Sequence, residues 1–251
     1  MEVVGQSENI RKNLQYLFDK NFNRVKSLNY KNFVDYLIDN NEIVLNNYTR
    51  EVYFRMDEIE ITEVKNSLKN FKISSIFEKL VKFEFDEILL KNNLKSDLKK
   101  IISKLQRENL DKFDSLERQV LFISFDNLSE SWCSIYGKGD FPILKNPEYF
   151  DYDYSNQLFQ FEKKIDSTSF SKPLFDFERI VDELDLYNQL INDFELYNCI
   201  YESYKYKYFL LLNEVLSEND GELFKNFPII KPFYIYGNEH DCEYINLHII
   251  E

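Results

Sequence analysis

The stretch RQVLFISFDNLSESWCSIYG, Arg118 to Gly137, decides the fold. Its first half is rich in Val, Ile and Phe, side chains that suit a pleated, half-buried surface. DNLSE, 126–130, is a polar turn cluster, and SWCSIYGKGDFP then reads as a second β segment ending at Gly137 and Gly139. Two such runs divided by a short polar cluster predict a β-hairpin. QLFQFEKKI, 157–165, alternates and predicts a third strand. The tail KPFYIYGNEHDCEYINLHIIE, 231–251, reads as strand, tight turn and strand, with Asn238, His240 and Asp241 bonding backbone groups in the turn.

Helical patterns surround these strands. Residues 175–217 carry the longest one: Ile180, Leu184, Tyr187, Ile191, Phe194 and Ile200, then Tyr204, Tyr208, Leu211, Leu212 and Val215. This predicts one long helix, or two divided near Tyr197, ended by Gly221 as a C-cap. In the first half, residues 7–28, 30–40, 58–71 and 75–90 read as helices, and REVYFRM, 50–56, alternates like a strand. LKSDLKKIISKLQREN, 94–109, is amphipathic. Leu94, Leu98, Ile101, Ile102 and Leu105 make one stripe, and Lys91, Lys95, Lys99 and Arg107 make the other, a solvated face. The fold class expected is α+β: a helical N-terminal part, a small antiparallel sheet with flanking helices and a C-terminal β-hairpin. One domain over 1–251 is expected, subdivided by composition into 1–112 and 113–251.

Charge marks that subdivision. The chain has 31 Lys+Arg and 44 Asp+Glu, a net of −13. Residues 1–112 hold 20 basic and 18 acidic side chains, a net of +2; residues 113–251 hold 11 and 26, a net of −15. The acidic excess therefore belongs wholly to the second part. Such a field repels nucleic-acid phosphates and attracts basic proteins and cations. The 23 Phe and 18 Tyr, with no Ala at all, match the codon usage of an AT-rich genome and are not read as function.

MEVVGQSENIRKN has no basic start leading into an apolar run, so no secretory signal is expected, and YFLLLNEVL is far shorter than the roughly 20 residues that span a bilayer. Cys133, Cys199 and Cys242 are odd in number and widely spaced, which points to buried free thiols in a reducing compartment. A cytoplasmic protein is expected.

The residues that carry chemistry are sparse. His240 and His248 are the two histidines. Neighbours on a strand point to opposite faces, so His240 and Asp241 do not converge on a metal. There is no G-x-S-x-G elbow, GKG at 137–139 is not a phosphate loop, and no dinucleotide fingerprint occurs. The expectation is a non-enzyme with no cofactor and no metal, and neither nucleic acid nor membrane as a partner.

EYFDYDY, Glu148 to Tyr154, is the segment best suited to recognition. Carboxylates accept paired hydrogen bonds from Arg, and Tyr adds rigid contact area with a polar tip. Glu148, Asp151, Tyr152, Asp153 and Tyr154, with Trp132 and Tyr136 of the aromatic hairpin, are the candidate partner-binding residues. With PFYIYGNEHDCEYINLHII they give a chain that resembles, as a class, the immunity proteins of bacterial toxin–immunity pairs, which cover a toxin's active surface. That resemblance implies a basic partner protein such as a nuclease toxin. A structural or adaptor protein is the alternative. NPEYFDYDYSNQLFQFEKK also resembles the PD-(D/E)xK nuclease pattern, in which two acids hold Mg²⁺ and a lysine positions water; the matching residues are Glu148, Glu162 and Lys164. Here Glu148 replaces the usual Asp, and the acidic surroundings oppose DNA binding.

Overall fold

The structure is a computed structural model, and its description covers residues 4–32, 35, 62, 66, 71–108, 118–126, 130–137, 157–160, 165–183, 195–239 and 244–251. The chain divides into two compact units. One holds Met1–Phe18, Asp86–Ser171 and Lys205–Glu251, and the other holds Asp19–Phe85 and Lys172–Tyr204. The compositional boundary at 112 thus lies inside the first unit. The fold is α+β, with helical N-terminal segments and a C-terminal β-hairpin.

The first unit is built on a sheet of order β3-β2-β1-β5-β6, with β4 also pairing with β2. The strands are β1 Arg118–Asp126, β2 Glu130–Gly137, β3 Gln157–Gln160, β4 Ile165–Asp166, β5 Ile229–Glu239 and β6 Ile245–Ile250. The predicted hairpin forms: β1 and β2 are antiparallel, with Ile123 opposite Cys133. The predicted third strand forms as β3. β1 lies at the middle of the sheet, and Val120, Leu121, Phe122 and Ile123 are all buried, so both of its faces are covered. That is why it reads as an unbroken apolar run and not as an alternation.

Two details of the sheet differ from the sequence reading. The sheet is mixed, not wholly antiparallel, because β1 and β5 run parallel with Val120 opposite Tyr234. A parallel return needs a long crossover, and the chain between β2 and β5 supplies one through helices. The turn expected at Asn238 is strand instead: β5 continues to Glu239, because Asn238 is buried against Ser124. Residues 240–243, with His240, Asp241 and Cys242, lie outside the described residues, as do REVYFRM and most of 30–40 and 58–70.

Helix α1 spans Val4–Val25, α2 Phe71–Lys82, α3 Glu87–Glu108, α4 Thr168–Glu183 and α5 Glu195–Leu223. Helix α5 passes straight through Gly221, so Gly221 is no C-cap. The buried apolar face continues to Leu223 and Phe224, and this extends the helix. Of the long pattern, α4 carries the start and α5 the end, with Tyr197 inside α5 and residues 184–194 outside the described residues. In the first unit α5 packs on the sheet through Phe209. A Cβ on Gly237 would stand 2.7 Å from Phe209 Cε1 and 2.8 Å from Leu247 Cδ1, so only glycine admits that approach.

In the second unit aromatic rings are set among buried aliphatic side chains such as Ile73, Leu80 and Leu174. Phe77 lies 5.9 Å from Phe177, and Phe177 stacks on Tyr197 at 6.2 Å. The helix expected over 75–90 is broken. Helix α2 ends in a Schellman turn, with Phe83 N–H donating to Leu80 O and Glu84 N–H to Lys79 O. Phe83 occupies the left-handed position, φ 53°, where glycine is usual. It is held there by stacking on Tyr204 at 4.4 Å and meeting Phe22 edge-on at 5.0 Å. Asp86 then caps α3 by accepting from Leu89 N–H at 2.9 Å. Tyr197 donates its hydroxyl to Glu178, whose burial nonetheless raises its pKa above the ordinary value.

Three expected outcomes follow from these contacts. Gly237→Ala should destabilise by about 1–3 kcal/mol through overpacking, seen in urea unfolding. Phe83→Ala should cost about 2 kcal/mol, and Phe83→Gly should cost less, because glycine relieves the left-handed strain of about 1–2 kcal/mol; equal losses would show that the backbone at 83 carries no strain. For Glu178, the folded pKa lies above the unfolded one. Ionising it therefore opposes folding as pH rises past the ordinary carboxylate range, and not below it. Glu178→Gln should be more stable than the parent at pH 7 and lose that advantage near pH 4, measured by thermal unfolding across that range.

Candidate functional site

Glu148, Asp151, Tyr152, Asp153 and Tyr154 lie outside the described residues, and so do Glu162 and Lys164 of the nuclease-like pattern. The structure therefore places only Trp132 and Tyr136 among the sequence-derived candidates. Trp132 is half-buried on β2. Tyr136 is 5% exposed and meets Phe122 edge-on at 5.0 Å, in a cluster with Val120, Tyr234, Tyr236 and Ile249. Its ring belongs to the core instead of being offered as an exposed anchor. The strand pattern alone does not say which face of β2 is covered.

The sheet itself brings another group together. Because β1 and β5 are parallel, their carboxyl ends lie at the same end of the sheet, and in open sheets that end is where ligand-binding loops project. Ser124 is the register partner of both Trp132 on β2 and Asn238 on β5. Register partners share a face, so Trp132, Ser124 and Asn238 form a row across three strands. Ser124 donates its hydroxyl to Asn238 Oδ1, and both residues are buried. The next residue, Glu239, points to the opposite face, where Lys205 of α5 stands 3.7 Å away. The Lys205 ammonium also lies 5.3 Å from the centre of the Tyr206 ring. This end of the sheet offers a hydroxyl, an amide, a carboxylate and an ammonium. Ser124 faces an amide oxygen, which is no base, and the lysine is held by a carboxylate. Ser124 and Asn238 are buried and bonded to each other, and the members of the row do not form a nucleophile–base pair.

A second polar constellation went unseen in the sequence. His248 on β6 is buried, with Nε2 3.0 Å from Asp220 Oδ2 and Nδ1 3.4 Å from Ser217 Oγ. Asp220 accepts from Nε2–H, which leaves Nδ1 to accept from the Ser217 hydroxyl. The order of groups is that of an activated serine. Its setting is not. Ser217 sits within helix α5, where backbone N–H groups are committed to the helix, and the approaching C-terminus presents carbonyl oxygens. No donor set is thereby aimed at a developing oxyanion. The trio instead fastens β6 to α5, together with Asn213 Nδ2 donating to Leu247 O at 2.7 Å. SEND, 217–220, is legible as a polar helix end, but its histidine partner lies 28 residues on.

The lysine stripe of α3 is spent inside the first unit. Lys91 reaches Glu214 at 2.6 Å, and Lys95 and Lys99 reach Glu222 at 3.2 and 2.8 Å. Arg11 joins Glu214 at 2.6 Å, and Lys207 reaches back to Glu87 at 3.0 Å. Hydrogen bonds from Lys99 and Lys95 hold the Glu222 carboxyl below its usual range, and Glu214 raises the Lys91 ammonium. The solvated stripe expected from the sequence is, in the structure, a row of ion pairs along α5. Cys133 and Cys199 are buried free thiols, as expected, and burial pushes Cys133 up to about 12, which leaves it inert. Among the described residues no three His, Cys, Asp or Glu side chains stand close enough to share a metal ion. Among them, too, no helix is long and apolar enough to cross a membrane.

Comparison with protein-family models, with characterised proteins and with solved structures finds no match to this chain.

Ser124→Ala should leave the buried Asn238 carbonyl without its donor and cost about 1–3 kcal/mol in chemical denaturation. Ser124→Ala combined with Asn238→Ala should show coupling, with a double-mutant loss smaller than the sum of the single losses. Strict additivity would show that the pair contributes nothing of its own.

Proposed function

We propose that the chain is a non-catalytic binding protein that recognises a basic partner protein, in the manner of an immunity protein covering a toxin. The observation that carries this reading is the acidic excess of the chain, a net of −13, with −15 contributed by residues 113–251. Part of that excess is balanced within the fold, where Arg11 and Lys91 meet Glu214 and Lys95 and Lys99 meet Glu222, so the field a partner meets comes from the remaining acids. A field of this sign accelerates encounter with a basic surface and repels polyanions.

EYFDYDY is the segment that this reading assigns to the contact, with Asp151 and Asp153 accepting from Arg or Lys. The test captures partners of the immobilised chain from its native host and releases them with a salt gradient. The expected result is a basic protein eluted by salt. Asp151→Asn with Asp153→Asn should leave folding within about 0.5 kcal/mol. It should also slow association and flatten the salt dependence, with about 1–3 kcal/mol of binding lost. An acidic partner, or an unchanged salt slope in the double variant, would overturn the proposal.

A further inference from the structure

We draw no further inference here: the strongest candidate, the exposed apolar surface patch of Ile88 and Leu89 in the first turn of α3, carries nothing because nothing in the structure shows what covers it.

Discussion

The ladder between β1 and β5 is the constraint on which the first unit depends. Each of these strands is also paired antiparallel, β1 with β2 and β5 with β6, so this one parallel join turns two hairpins into one sheet. It pairs β1 on both edges, and every β1 residue whose burial is described is buried. It also aligns the carboxyl ends of β1 and β5, which is what brings Ser124, Asn238 and Trp132 into one row. The join is closed over by helix α5, and the fit is tight enough that Gly237 has no room for a side chain against Phe209 and Leu247.

Apolar burial holds α5 in that place, and ion pairs balance its acids. Its last turns carry Glu214, Glu218, Asp220 and Glu222, with no basic residue in the final turn. Acids at a helix C-terminus oppose the helix dipole, and each such placement is unfavourable by some tenths of a kcal/mol. The compensation is tertiary. Lys91, Lys95 and Lys99 arrive from α3 and Arg11 from α1, while His248 of β6 donates Nε2–H to Asp220. The pairing order, Glu87 with Lys207, Lys91 with Glu214 and Lys95 with Glu222, requires α3 and α5 to run in the same direction. Single exposed pairs contribute little; a shared carboxylate with two cations contributes more through the network. These acids are balanced inside the fold, so the outward acidic field must come from the rest of the second part of the chain.

Among the described residues, the helices of the second unit meet through aromatic rings. Phe22, Phe83 and Tyr204 form one group, and Tyr30, Phe77, Phe177 and Tyr197 another. With so many aromatics and no alanine, close helix packing depends on ring stacking in place of small-residue contacts. Phe83 shows what this can achieve, since stacking on Tyr204 keeps a bulky residue in a backbone region that normally belongs to glycine.

The amino-acid sequence by itself determined the local elements: the 118–137 hairpin, the third strand, the terminal strand pair and the amphipathic helix of the Lys stripe. Each is written in periodicity or turn chemistry over a few residues, which neighbouring side chains suffice to express. The charge asymmetry is likewise a property of sequence alone. Only the tertiary structure decided that β1 and β5 are parallel neighbours, because the direction of pairing between strands more than 90 residues apart leaves no local mark. It decided that Tyr136 faces the core, that Asn238 is strand and not turn, and that Gly221 lies within a helix, since burial against distant residues overrode local turn preference in each case. It also decided that His248 meets Asp220 and Ser217, and that the lysines of α3 meet the acids of α5. Those encounters depend on which surfaces pack together, and packing is settled by the whole chain, not by any stretch of it.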